Sequence, residues 1–307
     1  MKRSVIQLAG RTLLVSLPSK WADANGVKKG NELEIVEDGH RLIVNTEQKS
    51  KIETAELDAD ALGHLLSRYI HALYKRGIDE IRISYSDPKT ADTIRSSLLN
   101  EVVGYEIVSQ TPKSCDIKLI TSGNIAEFDN LLRRIFLLLI SMAEECADAI
   151  KGKNFEHLSK TALLEETNNR LTTICRRSLN KWGAENFSKV GPIYYIIEDL
   201  ENLADEYKYL CKGLYGLKNS KPSIRQEVLQ VLDKTNEMLR LFYEMFYKFE
   251  LNKLSQIYEM RKKIVSSSLD LIENKKPSSA EFYILHHSLV ILQKIFCMTG
   301  PELVLIN

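Results

Sequence analysis

Residues 196–214 read IIEDLENLADEYKYLCKGL. This stretch lies inside one unbroken helical run, 187–216, bounded by Gly183 and Gly216. Side chains four apart stand on one face of a helix, so Glu201 and Asp205 share a face, and Glu198 joins it from three residues before Glu201. Outward from this run, helices are expected over 125–151, 154–181, 187–216, 222–250, 251–275 and 278–300. Breaks fall at Gly152, at Gly183, between Gly216 and Pro222, and between Lys275 and Pro277. Long helices with short connections favour antiparallel bundle packing. The six runs divide into two sets of three of similar length, which reads as an internal repeat of a three-helix unit.

The chain ahead of the bundle is of another kind. Val5, Ile6 and Leu8, then Leu13, Val15 and Leu17, form two short strands that turn at Ala9-Gly10-Arg11. Pro18 ends the second strand because it lacks the ladder donor. Ser19 opens a short helix that Gly26 closes. Leu33, Ile35 and Val36 face Leu42, Ile43 and Val44 across Asp38-Gly39, a strong hairpin signal. So small a β segment has a thin core and calls for a partner chain, which suggests a dimer. Thr46–Thr54 is polar and reads as a linker. Next comes a helix on Leu57, Ala61, Leu65, Leu66 and Tyr69, ended by Gly77, and a strand on Ile81, Ile83 and Tyr85. A helix from Asp87-Pro88 to Gly104 follows, then strands at 105–108 and 117–120. The expectation is an α+β multidomain chain: a β domain over 1–48, a small α/β middle unit over 49–124, and an all-α bundle of two three-helix repeats over 125–307.

Composition narrows the function. The formal net charge of the 307 residues is +1, so nucleic-acid binding must rest on a local patch. The five cysteines form no CxxC pair, which excludes a zinc ribbon and suggests reduced thiols in the cytoplasm. The first residues lack the apolar core of a signal peptide. The apolar run Ile135–Ser141 is too short to span a bilayer, so no membrane insertion is expected. The six histidines form no HxxxH or HExxH pattern; His64 and His71, seven apart on one expected helix, read as structural. No nucleophile–base pattern stands out, and the chain reads as a non-enzyme.

Two stretches resemble known families. IQLAGRTLLVSLPSKWADANGVKKGNELEI, residues 6–35, resembles the SpoVT/AbrB-like DNA-binding domain, a swapped-hairpin barrel built by two chains. The stretch quoted first resembles the helix carrying the ExxxD motif of PhoU-like phosphate-uptake regulators, which are bundles of two three-helix copies. SLVILQKIFCMTGPELVLIN, residues 288–307, resembles the equivalent helix of the second copy. The order of the two resembles archaeal-type phosphate uptake regulators.

The resemblance implies a divalent metal ion or iron held between helices by Glu198, Glu201 and Asp205, with Glu165, Glu166 and Asn169 contributed from the preceding helix. Such cations take several oxygen ligands. The plain alternative is a solvated acidic helix face. In the second copy Gln293 and Cys297 stand where acids would be expected, and Glu259 is the nearest acid on the helix before, so a second metal site is not implied. Glu144 and Asp148, also four apart, are expected to face water. For DNA, the resemblance singles out Lys2, Arg3, Arg11 and Lys20; ordinary solubilising charge is the alternative. The aromatic group Phe242, Tyr243, Phe246, Tyr247 and Phe249 reads as bundle core. The function implied is a dimeric, DNA-binding transcriptional regulator linked to phosphate uptake, its bundle receiving a signal. One rival is a PhoU-like interaction regulator that contacts a phosphate transporter component or sensor kinase and binds no DNA; another is an antitoxin, since AbrB-like domains also occur there, though the long folded bundle argues against it.

Overall fold

The computed structural model describes residues 2–8, 10–46, 52–120, 127–183 and 187–306. The expected boundaries at 48/49 and 124/125 fall outside these. The chain forms two compact units, 1–53 and 54–307.

In the first unit, β1 (Ile6–Leu8) pairs antiparallel with β2 (Thr12–Leu14). The tight turn between them needs a left-handed residue, and Gly10 supplies it at φ 92°. A short helix, α1 (Ser19–Ala24), follows. The second hairpin, β3 (Glu34–Asp38) and β4 (Arg41–Asn45), turns at Gly39-His40, with Gly39 at φ 58°. None of the described residues of this unit is buried. Ile6, Leu8, Leu13, Val15, Ile35 and Leu42 are all more than half exposed. Each hairpin therefore has its hydrogen bonds and lacks a core of its own.

The second unit opens with a four-stranded sheet in the order β5-β6-β8-β7: β5 (Thr54–Asp58), β6 (Glu80–Ser84), β7 (Tyr105–Thr111) and β8 (Ser114–Leu119). β5 runs parallel to β6 and the other pairings are antiparallel. The crossover consists of α2 (Ala59–Leu62), a 3-10 turn, and α3 (Leu66–Arg76), which ends at Gly77 in the left-handed region (φ 107°). α4 (Thr90–Asn100) joins β6 to β7. Ile81, Ile83, Cys115 and Ile117 of the sheet are buried with Leu66, Ile70, Tyr74, Ile94 and Leu98 of the helices. The sheet's alternate positions carry solvated ion pairs, Arg82–Asp116 at 2.8 Å and Lys118–Glu80 at 2.9 Å.

β5 corrects the sequence reading, which placed Leu57 on a helix. Ala55 and Leu57 pack inward as alternate strand residues, and Asp58 then caps α2 by accepting from Asp60 N at 3.0 Å. One period of alternation flanked by acids is too short a strand signal; pairing with β6 decides the outcome.

Among the described residues, seven α-helices complete the unit: α5 (Phe128–Lys151), α6 (Phe155–Thr161), α7 (Leu164–Trp182), α8 (Phe187–Gly216), α9 (Gln226–Tyr247), α10 (Leu251–Lys275) and α11 (Ser279–Leu305). The run expected over 154–181 is two helices, α6 and α7, separated at Ala162-Leu163. The break carries no Gly or Pro; it is a tight turn in which Leu163 N donates to Lys160 O and Glu166 N to Leu163 O. The bundle is all-α, as expected, but this break leaves four helices followed by three, not two matching sets of three. α8 packs against α5, α6, α7 and α11. The aromatic group on α9 belongs to the core: Phe242 and Phe246 lie 6.1 and 5.2 Å from Phe136 of α5, and Arg133 stacks on Tyr247 at 4.5 Å. α11 is long and apolar enough to cross a membrane by length and composition, a property the sequence reading passed over. Its buried residues Ile284, Leu285, Ile291, Leu292, Ile295 and Met298 lie in the bundle core.

Candidate functional site

The acidic stripe of α8 faces α7, and the two helices run antiparallel. Glu165 and Asn169 of α7 lie by Lys208 and Asp205, while Arg176 of α7 lies by Glu198 and Glu201. Arg176 is only 1% exposed. A charge that deeply buried must be paired and hydrogen-bonded. Its Nη1 donates to Glu198 Oε2 at 2.5 Å, its Nη2 contacts the Glu201 carboxylate, and Nη2 also reaches Thr172 Oγ1 at 3.2 Å. One turn further along, Lys208 Nζ donates to Asp205 Oδ1 at 2.5 Å and to Glu165 Oε1 at 2.9 Å. Asn169 Nδ2 donates to the same Glu165 oxygen at 2.5 Å. Burial works against the charge on Lys208, yet its hydrogen bonds to Asp205 and Glu165 carry its pKa above the ordinary lysine value.

The structure places these residues in two groups, Glu198 and Glu201 on Arg176, and Asp205, Glu165 and Asn169 around Lys208. Glu166 is exposed. The cations Arg176 and Lys208 were missed by the sequence reading. The signal was present: Arg176 stands on the same stripe as Asn169 and Thr172, at helical spacing. These two cations already pair with four of the five carboxylates that the resemblance assigns to a metal ion. A divalent cation would have to enter beside a buried guanidinium and displace it. Among the described residues, no three His, Cys, Asp or Glu side chains are grouped to hold a metal. As they stand, the residues do not fit a metal ion or iron.

On the corresponding part of α11, Gln293 and Cys297 bond to each other at 3.2 Å, and Arg261 of α10 donates to Gln293 Oε1 at 2.8 Å. Glu259 is exposed, as are Glu144 and Asp148; Glu144 pairs with Arg240. His71 is structural: its Nδ1 lies 2.8 Å from Glu101 and its Nε2 contacts Ser97.

α7 also binds the α/β layer. Arg177, adjacent in sequence to Arg176, donates to Tyr74 O (2.9 Å), Ile78 O (2.6 Å) and Asp79 Oδ1 (2.7 Å), and it stacks over Tyr74 at 4.9 Å. Lys181 reaches Gly77 O at 3.0 Å and both Asp79 oxygens, and Asn180 reaches Lys75 O at 2.8 Å. These groups donate to carbonyls at and just beyond the C-terminus of α3, where the helix dipole favours cations. Consecutive arginines therefore serve two contacts, one inside the bundle and one to the α/β layer.

In the first unit Lys2, Arg3, Arg11 and Lys20 are all exposed. Arg11 sits at the β1–β2 turn. Ile6 pairs with Leu14 at the other end of the hairpin, and Lys2 and Arg3 precede that end. Within one chain, then, the hairpin's length separates Arg11 from Lys2 and Arg3.

By fold and charge this is a two-unit protein, a coreless β segment followed by an α/β layer and a helical bundle. Residues 6–52 match the family model described as antidote-toxin recognition MazE, bacterial antitoxin. No curated protein matches the chain. A crystal structure of the phosphate transport system regulatory protein PhoU from Streptococcus pneumoniae is 16% identical at TM-score 0.48, over 59% of this chain and 94% of that one. A likeness that shallow carries no functional weight.

Proposed function

We propose that the chain is a PhoU-like regulator tied to phosphate homeostasis. It acts by contact through its bundle on a phosphate transporter component or sensor kinase, and two copies are held together by the first unit. The observation that carries this reading is the closure of the α7–α8 charged face by Arg176 and Lys208. It makes the most conspicuous polar cluster of the bundle an internal brace, and leaves surfaces as the means by which the bundle acts. The ExxxD stretch Glu201–Asp205, with its resemblance to PhoU-like helices, supplies the link to phosphate. The exposed apolar residues of both hairpins support pairing of two copies, since a segment of this size rarely holds a fold without a partner. The test is uptake of labelled phosphate by cells lacking the chain, with binding of the purified protein to the same cells' phosphate-transport ATPase subunit and sensor kinase. Altered uptake with a saturable complex is expected. Unchanged uptake and no complex with either would refute the proposal.

A second reading rests on the resemblance of residues 6–35 to the SpoVT/AbrB-like DNA-binding domain and on the exposure of Lys2, Arg3, Arg11 and Lys20. In it the paired first units bind DNA, and pairing brings basic residues of two chains onto one face. Fluorescence anisotropy with duplex from the protein's own upstream region, titrated with salt, decides it. Phosphate contacts make affinity fall steeply with salt, and specificity must exceed that for random duplex. Absence of binding at low salt removes this reading and leaves the first one standing.

A further inference from the structure

A cleft of ≈ 550 Å³ opens where the last turn of α3 meets α7 and α8, lined by Ala72, Lys75, Arg76, Asn180 and Tyr194. The cations around it differ in their state. Arg176, Arg177 and Lys181 are each bound to carboxylates. Among the described contacts, the Lys75 ammonium, the Arg76 guanidinium and the Tyr194 hydroxyl have no hydrogen-bond or ion-pair partner. Asn180 is fixed in the wall by its bond to Lys75 O at 2.8 Å. Two acids act on Lys75 from nearby, Glu101 and Glu198. Both are engaged elsewhere, Glu101 with His71 and Glu198 with Arg176. Lys75 is half-buried, and burial together with neighbouring Arg176 holds its pKa below the ordinary lysine value, against the pull of those two acids.

The cleft therefore gathers donors that lack acceptors. An ammonium offers a point charge with three donors, a guanidinium offers a planar fork, and a phenol offers one O–H. What complements all three is a compact anion with several acceptor oxygens. We propose that this cleft binds a small oxyanion of the phosphate class, either inorganic phosphate or the phosphoryl group of a nucleotide. Lys75 and Arg76 belong to α3, Asn180 to α7 and Tyr194 to α8. A bound anion would tie the α/β layer to the bundle at the joint already braced by Arg177, and would favour whichever arrangement holds the two closest. The inference stands apart from the regulatory reading, because the cleft would bind its anion whatever partner the chain contacts.

The test uses the full chain. Equilibrium dialysis at constant ionic strength measures binding of labelled inorganic phosphate and, separately, of adenosine monophosphate. Saturable binding of either at millimolar concentration is expected. Tighter binding of phosphate identifies the free anion as the ligand, and tighter binding of the nucleotide identifies a phosphoryl group. Loss of the charged contacts in the double variant Lys75→Met with Arg76→Gln should weaken binding at least about tenfold, whereas Lys75→Arg should retain it. Should the double variant fail to fold, lysine acylation of the wild-type chain read by mass spectrometry replaces it. Phosphate or nucleotide should then protect Lys75 and leave Lys263, on α10, unchanged. The proposal is overturned by absence of saturable binding, by undiminished binding in a folded double variant, or by equal labelling of Lys75 with and without ligand.

Discussion

Glu302 offers a quantitative test of how the bundle is held together. It lies in the last turns of α11, is 2% exposed, and its Oε2 has no hydrogen-bond partner among the described residues. Burial alone raises its pKa to about 7, and no cation offsets that effect. A carboxyl ionising near 7 in the folded chain and near 4.5 in the unfolded one costs about 3 kcal/mol to carry as an anion in the fold. The sign follows from proton binding. Between the two values the folded state holds a proton that the unfolded state has lost, so stability falls as pH rises through this window and levels off above 7. Between pH 5.5 and 8 the loss from this one residue is about 2 kcal/mol. The assay is urea unfolding of wild type and Glu302→Gln at half-unit pH steps. The amide keeps the size of the side chain and cannot ionise, so the variant should gain about 2 kcal/mol on wild type across that range. Other titrating groups affect both proteins alike and cancel in the difference. Parallel pH profiles would refute the reasoning, since they would mean that Glu302 reaches solvent or a cation when it ionises.

Glu281 works in the opposite direction. Although burial opposes its charge, bonds from Arg225 and Ser278 lower its pKa to about 2, so it stabilises the fold above pH 4.5 and that contribution is lost as pH falls toward 2. Glu281→Ala should cost about 3 kcal/mol in urea unfolding at pH 7 and less at pH 3. Arg176→Ala should be among the most damaging single changes in the bundle, at roughly 3–5 kcal/mol, because it leaves Glu198 and Glu201 facing one another without their cation; a loss below 1 kcal/mol at pH 7 would contradict the pairing described. Elemental analysis of wild type dialysed against manganese, iron and zinc should find no stoichiometric metal, and a tightly held ion would show that Arg176 and Lys208 yield their place. Leu13→Asp with Ile35→Asp should turn a dimer into a monomer in analytical ultracentrifugation while the helical circular dichroism of the bundle persists; an unchanged mass would mean these side chains are not what joins two copies.

The residues that form the bundle were legible where apolar spacing was long and breakers were plain. The stops of α5, α8 and α10 and the starts of α8 and α11 fall close to the glycines and prolines that mark them, whereas α11 runs on through Gly300 and Pro301 to Leu305, past its expected end at 300. α6 and α7 were read as one helix because Ala162 and Leu163 are good helix formers, and only packing against neighbouring helices turns the chain there. β5 was read as helix because five residues carry too little periodicity to outweigh the helical spacing that follows. The hairpins of the first unit were plain from Gly10 and Asp38-Gly39, since left-handed turn residues between apolar runs leave few alternatives.

The candidate site divides in the same way. By itself the sequence determined that Glu198, Glu201 and Asp205 share a helix face, because that follows from 3.6 residues per turn and needs no neighbour. It also determined that residues 1–48 are too few to bury a core. What faces the acids was decided only by the tertiary structure. α7 and α8 lie antiparallel, and that register sets Arg176 against Glu198 and Glu201, and Lys208 against Glu165. The same register places Arg177 on the α/β layer about a hundred residues earlier in the chain. Charge pairing between helices depends on register and rotation, which sequence spacing within one helix leaves free, so whether an acidic face holds a metal, meets water or closes on an arginine is settled by packing.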